Sequence, residues 1–294
     1  MEQICATGAR QMPGRSIDAR VSQQAFLGVS ALLFVVSTGV TIVAAASMSA
    51  MGEMPMPGGW SMSMTWLRMC GQTWPGAAAS FLGMWAVMMV AMMLPSLVPM
   101  LWRYREAVGG VGGMRLGSLT VLVGAGYFFV WIAFGMAVFP LGVALAALET
   151  ELPPLARAVP LATGVIVLTA GAFQFTAWKA RHLACCRAAP GRCARVVAPL
   201  AASTLPALPP VLPADAVMAW RHGLRLGLHC GYCCAGLTIV LLVLGVMDWR
   251  VMAVVTAAIT VERLAPRGER VARWIGVGAV ATGLVLIARA VGLG

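Results

Sequence analysis

Residues 229–234 read "HCGYCC". His229, Cys230, Cys233 and Cys234 set one imidazole and three thiols within little more than a helical turn. Helical positions three and four apart share a face. Cys230 therefore pairs with Cys234 and His229 with Cys233, and all four line one broad face. Thiolate and thioether donors select soft metals, Cu(I) first among them. The Cys230–Cys233 spacing also suits thiol redox chemistry. It is a single C-x-x-C with no second pair at zinc-finger spacing, too few ligands for a structural zinc site. The plain alternative is packing, because free buried cysteine behaves as a small hydrophobe.

Thioethers form two further groups. In "FLGMWAVMMVAMMLPSLVPM", Met84, Met88 and Met92 recur at i, i+4 and i+8, with Met89 and Met93 one position on. Met88, Met89, Met92 and Met93 are the candidate intramembrane ligands here. Pro95 follows them and can kink the helix. The second group is "MSAMGEMPMPGGWSMSMTWLRMC", with Met48, Met51, Met54, Met56, Met62, Met64 and Met69. Its Gly and Pro content predicts a mobile loop over 48–76. Thioethers do not titrate and suit Cu(I), so this segment reads as a metal-recruiting loop. A third stretch, "KARHLACCRAAPGRC", sets His182 and Cys186 four apart, able to share a metal if the segment is helical.

The elements that carry these residues are membrane helices. The chain of 294 residues is 60% hydrophobic and 11% charged, with mean hydropathy +0.87. Soluble domains hold about 25% charged residues. Apolar runs cover 26–46, 77–101, 116–145, 160–178, 226–247, 250–264 and 271–291. Most are long enough to cross ~30 Å of hydrocarbon. The reading is an all-α, polytopic transmembrane bundle of about seven helices, six if the short run at 250–264 does not span. Residues 1–25 form a tail and 26–294 one bundle, with a Cys/His-containing, Pro-rich loop over 179–225. Asp215 is placed to cap a short interfacial helix that runs into the helix of Cys230. Gly223, Gly227 and Gly231 recur every four residues, a spacing that lets another helix approach closely.

The net charge of +11 does not point to nucleic acid, because the basic residues sit in short loops between apolar runs. Arg68, Arg157, Arg250 and Arg289 fall on one side of the bundle and the other 17 Lys and Arg on the opposite side. Basic loops face the cytoplasm. This predicts a cytoplasmic N-terminus, an outer Met-rich loop and a place in the cell's inner (plasma) membrane. Glu262, an acid near the membrane boundary, is a site candidate that can take a proton or cation or pair with Arg263 or another base.

Together these stretches resemble the predicted metal-binding integral membrane proteins grouped as domain of unknown function 2182. The resemblance runs from about Met48 to about Pro266. It is carried by the Met-rich loop, "MWAVMMVAMMLPSLVPM", "FQFTAWKARHLACCR" and "GLRLGLHCGYCCAGLTIVLLVLGVMDWRVMAVVTAAITVERL". The family pattern K-x-x-C-L-x-x-C-R appears here with His182 in place of the first Cys and with Cys186 as the second. Ala235 stands where the family carries an aromatic. The resemblance implies metal binding. The expectation is a protein that binds, transfers or transports Cu(I), or another soft metal, together with an unidentified protein partner. A membrane thiol oxidoreductase using Cys230 and Cys233 is one alternative, and a non-catalytic membrane subunit is another.

Overall fold

The computed structural model describes residues 13–50, 52–68, 71–108, 112–187 and 215–292. Helices make up nearly all of this. They are α1 (Pro13–Ala50), α2 (Trp74–Val108), α3 (Gly113–Glu151), α4 (Pro153–Phe173), α5 (Ala177–Arg187), α6 (Ala216–Gly245), α7 (Trp249–Leu264) and α8 (Gly268–Ala290). Six of them, α1, α2, α3, α4, α6 and α8, are long and apolar enough to cross a membrane. The all-α transmembrane bundle expected from the apolar runs is the observed architecture.

The short run at 250–264 is α7. Its 16 residues rise only about 24 Å. Asp248 caps its start, accepting from the backbone N–H of Arg250 at 2.8 Å and of Val251 at 3.4 Å. The helix then runs back along α6 until Arg263 reaches Cys230. From there α8 packs antiparallel on α4, with Gly171 against Val280 and Gly164 against Ile287.

Burial decides which helices matter for the site. In α2 and α6, 56% and 50% of the apolar window is buried, against 6% in α1. The two helices that carry the Met ridge and the Cys cluster are therefore the centre of the bundle. α3 lies against α6, and two of the three expected glycines explain why. A Cβ on Gly223 would lie 2.2 Å from the Val123 carbonyl oxygen, and one on Gly227 would lie 2.8 Å from that of Tyr127. Gly126 returns the contact, facing the Trp220 carbonyl. Gly231 departs from the expectation, since nothing lies within 4 Å of a Cβ there.

Two other expectations are corrected. Asp215 does sit at the helix N-cap position, but among the described residues α6 runs unbroken from it, with no separate short helix before Cys230. In the Met-rich segment, residues 53–63 form a β-hairpin where a loop was expected. Strands β1 (Glu53–Met56) and β2 (Trp60–Ser63) pair antiparallel, followed by a single 3-10 turn over Met64–Trp66. Gly58 and Gly59, with φ of 106° and 75°, make the reversal that other residues resist. The hairpin docks on the junction of α3 and α4. Trp60 Nε1 donates to the Ala156 carbonyl at 2.8 Å, and the Trp66 ring lies over Gly142. Met48 belongs to the last turn of α1. Met51 and Met69 lie outside the described residues.

Candidate metal centre

The Met ridge of α2 and the Cys turn of α6 meet. Cys230, Cys233 and Cys234 are fully buried, and Met88, Met89, Met92 and Met93 are at most 3% exposed. Cys230 Sγ lies 3.8 Å from Cys234 Sγ and 4.0 Å from Met93 Sδ. Two sulfurs bonded to one ion at about 2.3 Å stand about 3.8 Å apart in tetrahedral geometry and about 4.6 Å apart in linear geometry. The Cys230–Cys234 pair already has this separation. Met88, Met89 and Met92 share the same buried core as these residues. Among the described residues, no group of three or more His, Cys, Asp or Glu side chains is arranged to hold a metal ion. The donors gathered at Cys230 are one further thiol and one thioether.

Charged and hydroxyl groups converge on the same sulfur. Tyr127 donates its hydroxyl to Cys230 Sγ at 2.9 Å. Arg263 Nη1 donates to Cys230 Sγ at 3.0 Å and to Ser96 Oγ at 2.8 Å, and Nη2 reaches Met100 Sδ at 3.3 Å. A buried thiolate needs a cation and hydrogen-bond donors of this kind.

Glu262 finds its base on another helix. It is fully buried and forms an ion pair with Lys179 of α5, which is itself 1% exposed. Lys179 is oriented by the start of α5, where its backbone N–H donates to Thr176 Oγ1 at 3.2 Å. Its ammonium group also donates to the Cys233 carbonyl. The Cys233 thiol points toward Glu262 Oε1 at 3.9 Å. The two members of the C-x-x-C are thus engaged differently, Cys230 with Cys234 and Met93, Cys233 with the carboxylate. The cysteines described in the bundle are free thiols.

The histidines stand at the rim of this cluster. His229 and His182 are both half-buried. His182 donates from Nδ1 to the Trp178 carbonyl at 2.9 Å, and its ring packs on Trp178 and against Tyr232 of α6. This leaves Nε2 as the ring's available lone pair. The segment of Cys186 is helical, as the shared-metal reading requires, but its side chain lies outside the described residues.

Tyr127, Lys179, Ser96 and Met100 are site residues that spacing did not single out, and Arg263 was considered only as a partner for Glu262. A signal existed for two of them. Ser96 and Met100 follow Met93 by three and seven residues, on the same helical face. Lys179 opens the K-x-x-C-L-x-x-C-R pattern, but that pattern does not say which acid it meets; Tyr127 carries no such signal, being one polar residue in an aromatic-rich run.

No curated protein and no solved structure matches the chain. Residues 82–286 match the model of PpoB2, a copper chaperone family; the match spans more than two thirds of the chain and takes in every sulfur of the buried cluster, and the chain belongs to that family.

Proposed function

We propose that this protein is a membrane copper chaperone that holds Cu(I) between Cys230 and Cys234, with Met93 as a neutral third ligand. The observation that carries the proposal is the meeting of Cys230 Sγ with a second thiol and a thioether at the centre of the bundle. The family supplies the metal. The donor set supplies the oxidation state, since thiolate with thioether and no hard ligand favours Cu(I).

Charge bookkeeping supports a monovalent cargo. Lys179 and Arg263 bring two positive charges into the core and Glu262 brings one negative charge. A single thiolate at Cys230 makes the set neutral. Adding Cu(I) while Cys234 gives up its proton leaves it neutral again. A divalent ion bound by the same two thiolates would leave one uncompensated buried charge, which costs several kcal/mol.

In this reading the buried Met88, Met89 and Met92 extend the sulfur path along α2, and His229 and His182, with Cys186, form the exchange point toward the cytoplasm. The asymmetry of Lys and Arg supports an N-terminus in the cytoplasm and an inner-membrane location. Copper then passes to or from a protein partner on the basic side.

Metal content of detergent-purified protein tests the proposal. Wild type loaded anaerobically is expected to lose one equivalent of bound Cu(I) on Cys230→Ser or on Cys234→Ser, and none on Cys5→Ser. Full retention by both variants would refute the site.

A further inference from the structure

The hairpin places its sulfurs on one face. Met54 pairs across the strands with Met62, and Met56 with Trp60. Directly paired residues and their i+2 neighbours share a face of a two-stranded sheet. Three thioethers and one indole therefore face the same way. Met56 and Met62 are buried with Ala146 and Ala156, and the rings of Trp60 and Trp66 pack against the same cluster. Trp60 is held there by its hydrogen bond to the Ala156 carbonyl. Packing accounts for Met56 and Met62 but not for Met54, which shares the face and is 37% exposed.

The chemistry of this face is specific. It offers soft, neutral thioether donors beside aromatic π-surfaces. Thioethers favour Cu(I)-like ions over hard cations. An indole face attracts a cation that has lost part of its hydration. A neutral site does not balance a second positive charge. None of its donors titrates between pH 5 and 8.

The face is also separate from the buried thiols. Trp66 packs on Gly142, which lies 15 residues along α3 from Tyr127, about 22 Å at helical rise. Between the two, the rings of Trp66, Phe81 and Trp85 pack one against the next, ahead of Met88.

We propose that the hairpin face of Met54, Met56 and Met62, with Trp60 beside it, is a second binding site for a monovalent soft cation. It rests on the copper reading only for the identity of the ion that occupies it in the cell. Ag(I), redox-inert and monovalent, is the probe. Full-length protein in detergent is titrated with Ag(I), following bound silver and tryptophan fluorescence, in wild type and in the Met54→Leu, Met56→Leu, Met62→Leu triple variant. Leu conserves volume, and an unchanged midpoint of thermal unfolding reports that the fold is intact. The expected result is one Ag(I) fewer per chain in the triple variant, with loss of the quenching component that Trp60→Phe also removes. That component should persist in Cys230→Ser, Cys234→Ser protein, whatever the copper content of the buried site proves to be. Unchanged silver stoichiometry and unchanged quenching in the triple variant would overturn the proposal. So would loss of the quenching when only the thiols are replaced.

Discussion

Arg263 points its guanidinium at Cys230, Nη1 to Sγ at 3.0 Å, inside a bundle where its side chain is 4% exposed. The cation stands beside the very sulfur that meets Cys234 and Met93. In the proposed copper site it would set the charge that can be accepted. Replacing it with Gln removes one positive charge while keeping a hydrogen-bond donor. The remaining Lys179, Glu262 and two thiolates would then balance a divalent ion and leave a Cu(I) complex one charge negative. Arg263→Gln is expected to weaken Cu(I) binding at least about tenfold, since an uncompensated buried charge costs several kcal/mol, and to raise the affinity for Zn(II) relative to Cu(I). Competition titrations with a chelator for each metal measure both changes. An unchanged metal preference would detach Arg263 from the site.

The Lys179–Glu262 pair is buried on both sides. Such a pair adds little net stability, yet removing one partner is expensive because the other is left charged in low dielectric. Glu262→Gln is expected to destabilise the protein by about 3–5 kcal/mol, read as a lower midpoint of thermal unfolding in detergent. The double variant Lys179→Met, Glu262→Leu should recover most of that loss. Equal loss in the single and double variants would show that the helices, not the charges, depend on these positions.

The close approach of α3 to α6 positions Tyr127 over Cys230. Gly223→Ala would drive a methyl group into the Val123 carbonyl, which is backbone and cannot rotate away. The expected cost is about 1–3 kcal/mol, with weaker copper retention as α3 moves off. Gly231→Ala meets open space, so it should leave copper content unchanged and hold or raise stability, by up to about 1 kcal/mol. Comparing the two by thermal unfolding and metal analysis separates the contact from a general effect of alanine on helix propensity.

Orientation is checked in whole cells. Ser61→Cys, in the exposed part of the hairpin, should react with an impermeant thiol reagent above the parent level. Arg267→Cys, between α7 and α8, should react only after the cells are opened. The reverse pattern would place the hairpin in the cytoplasm.

Much of this arrangement was legible in the residues themselves. The i, i+4 spacing of Cys230 and Cys234 put their sulfurs on one face, and helical rise put Met93 at their level. Both follow from helix geometry, which is local. The short apolar run at 250–264 was legible as an exception by its length. What escaped was set by tertiary packing. Nothing near Lys179 in sequence says that α5 folds inward to meet Glu262, 83 residues away. The Met-rich segment misled for a physical reason. Its Gly and Pro residues were read as freedom, whereas Gly58 and Gly59 form a tight reversal and Met56 and Met62 bury themselves under it. Gly231 follows the small-residue spacing, but no neighbour comes within 4 Å of a Cβ there. A repeat of small residues marks a face without fixing its full length.

The proposed site holds one Cu(I) between Cys230 and Cys234 with sulfur donors alone. X-ray absorption at the copper K-edge of anaerobically loaded protein tests it most directly, using the Met54→Leu, Met56→Leu, Met62→Leu variant so that only the buried site contributes. The expected spectrum has a Cu(I) edge and a first shell of sulfur only, lost when Cys230 and Cys234 become Ser. A first shell of nitrogen or oxygen, or one that survives the loss of both thiols, would contradict it.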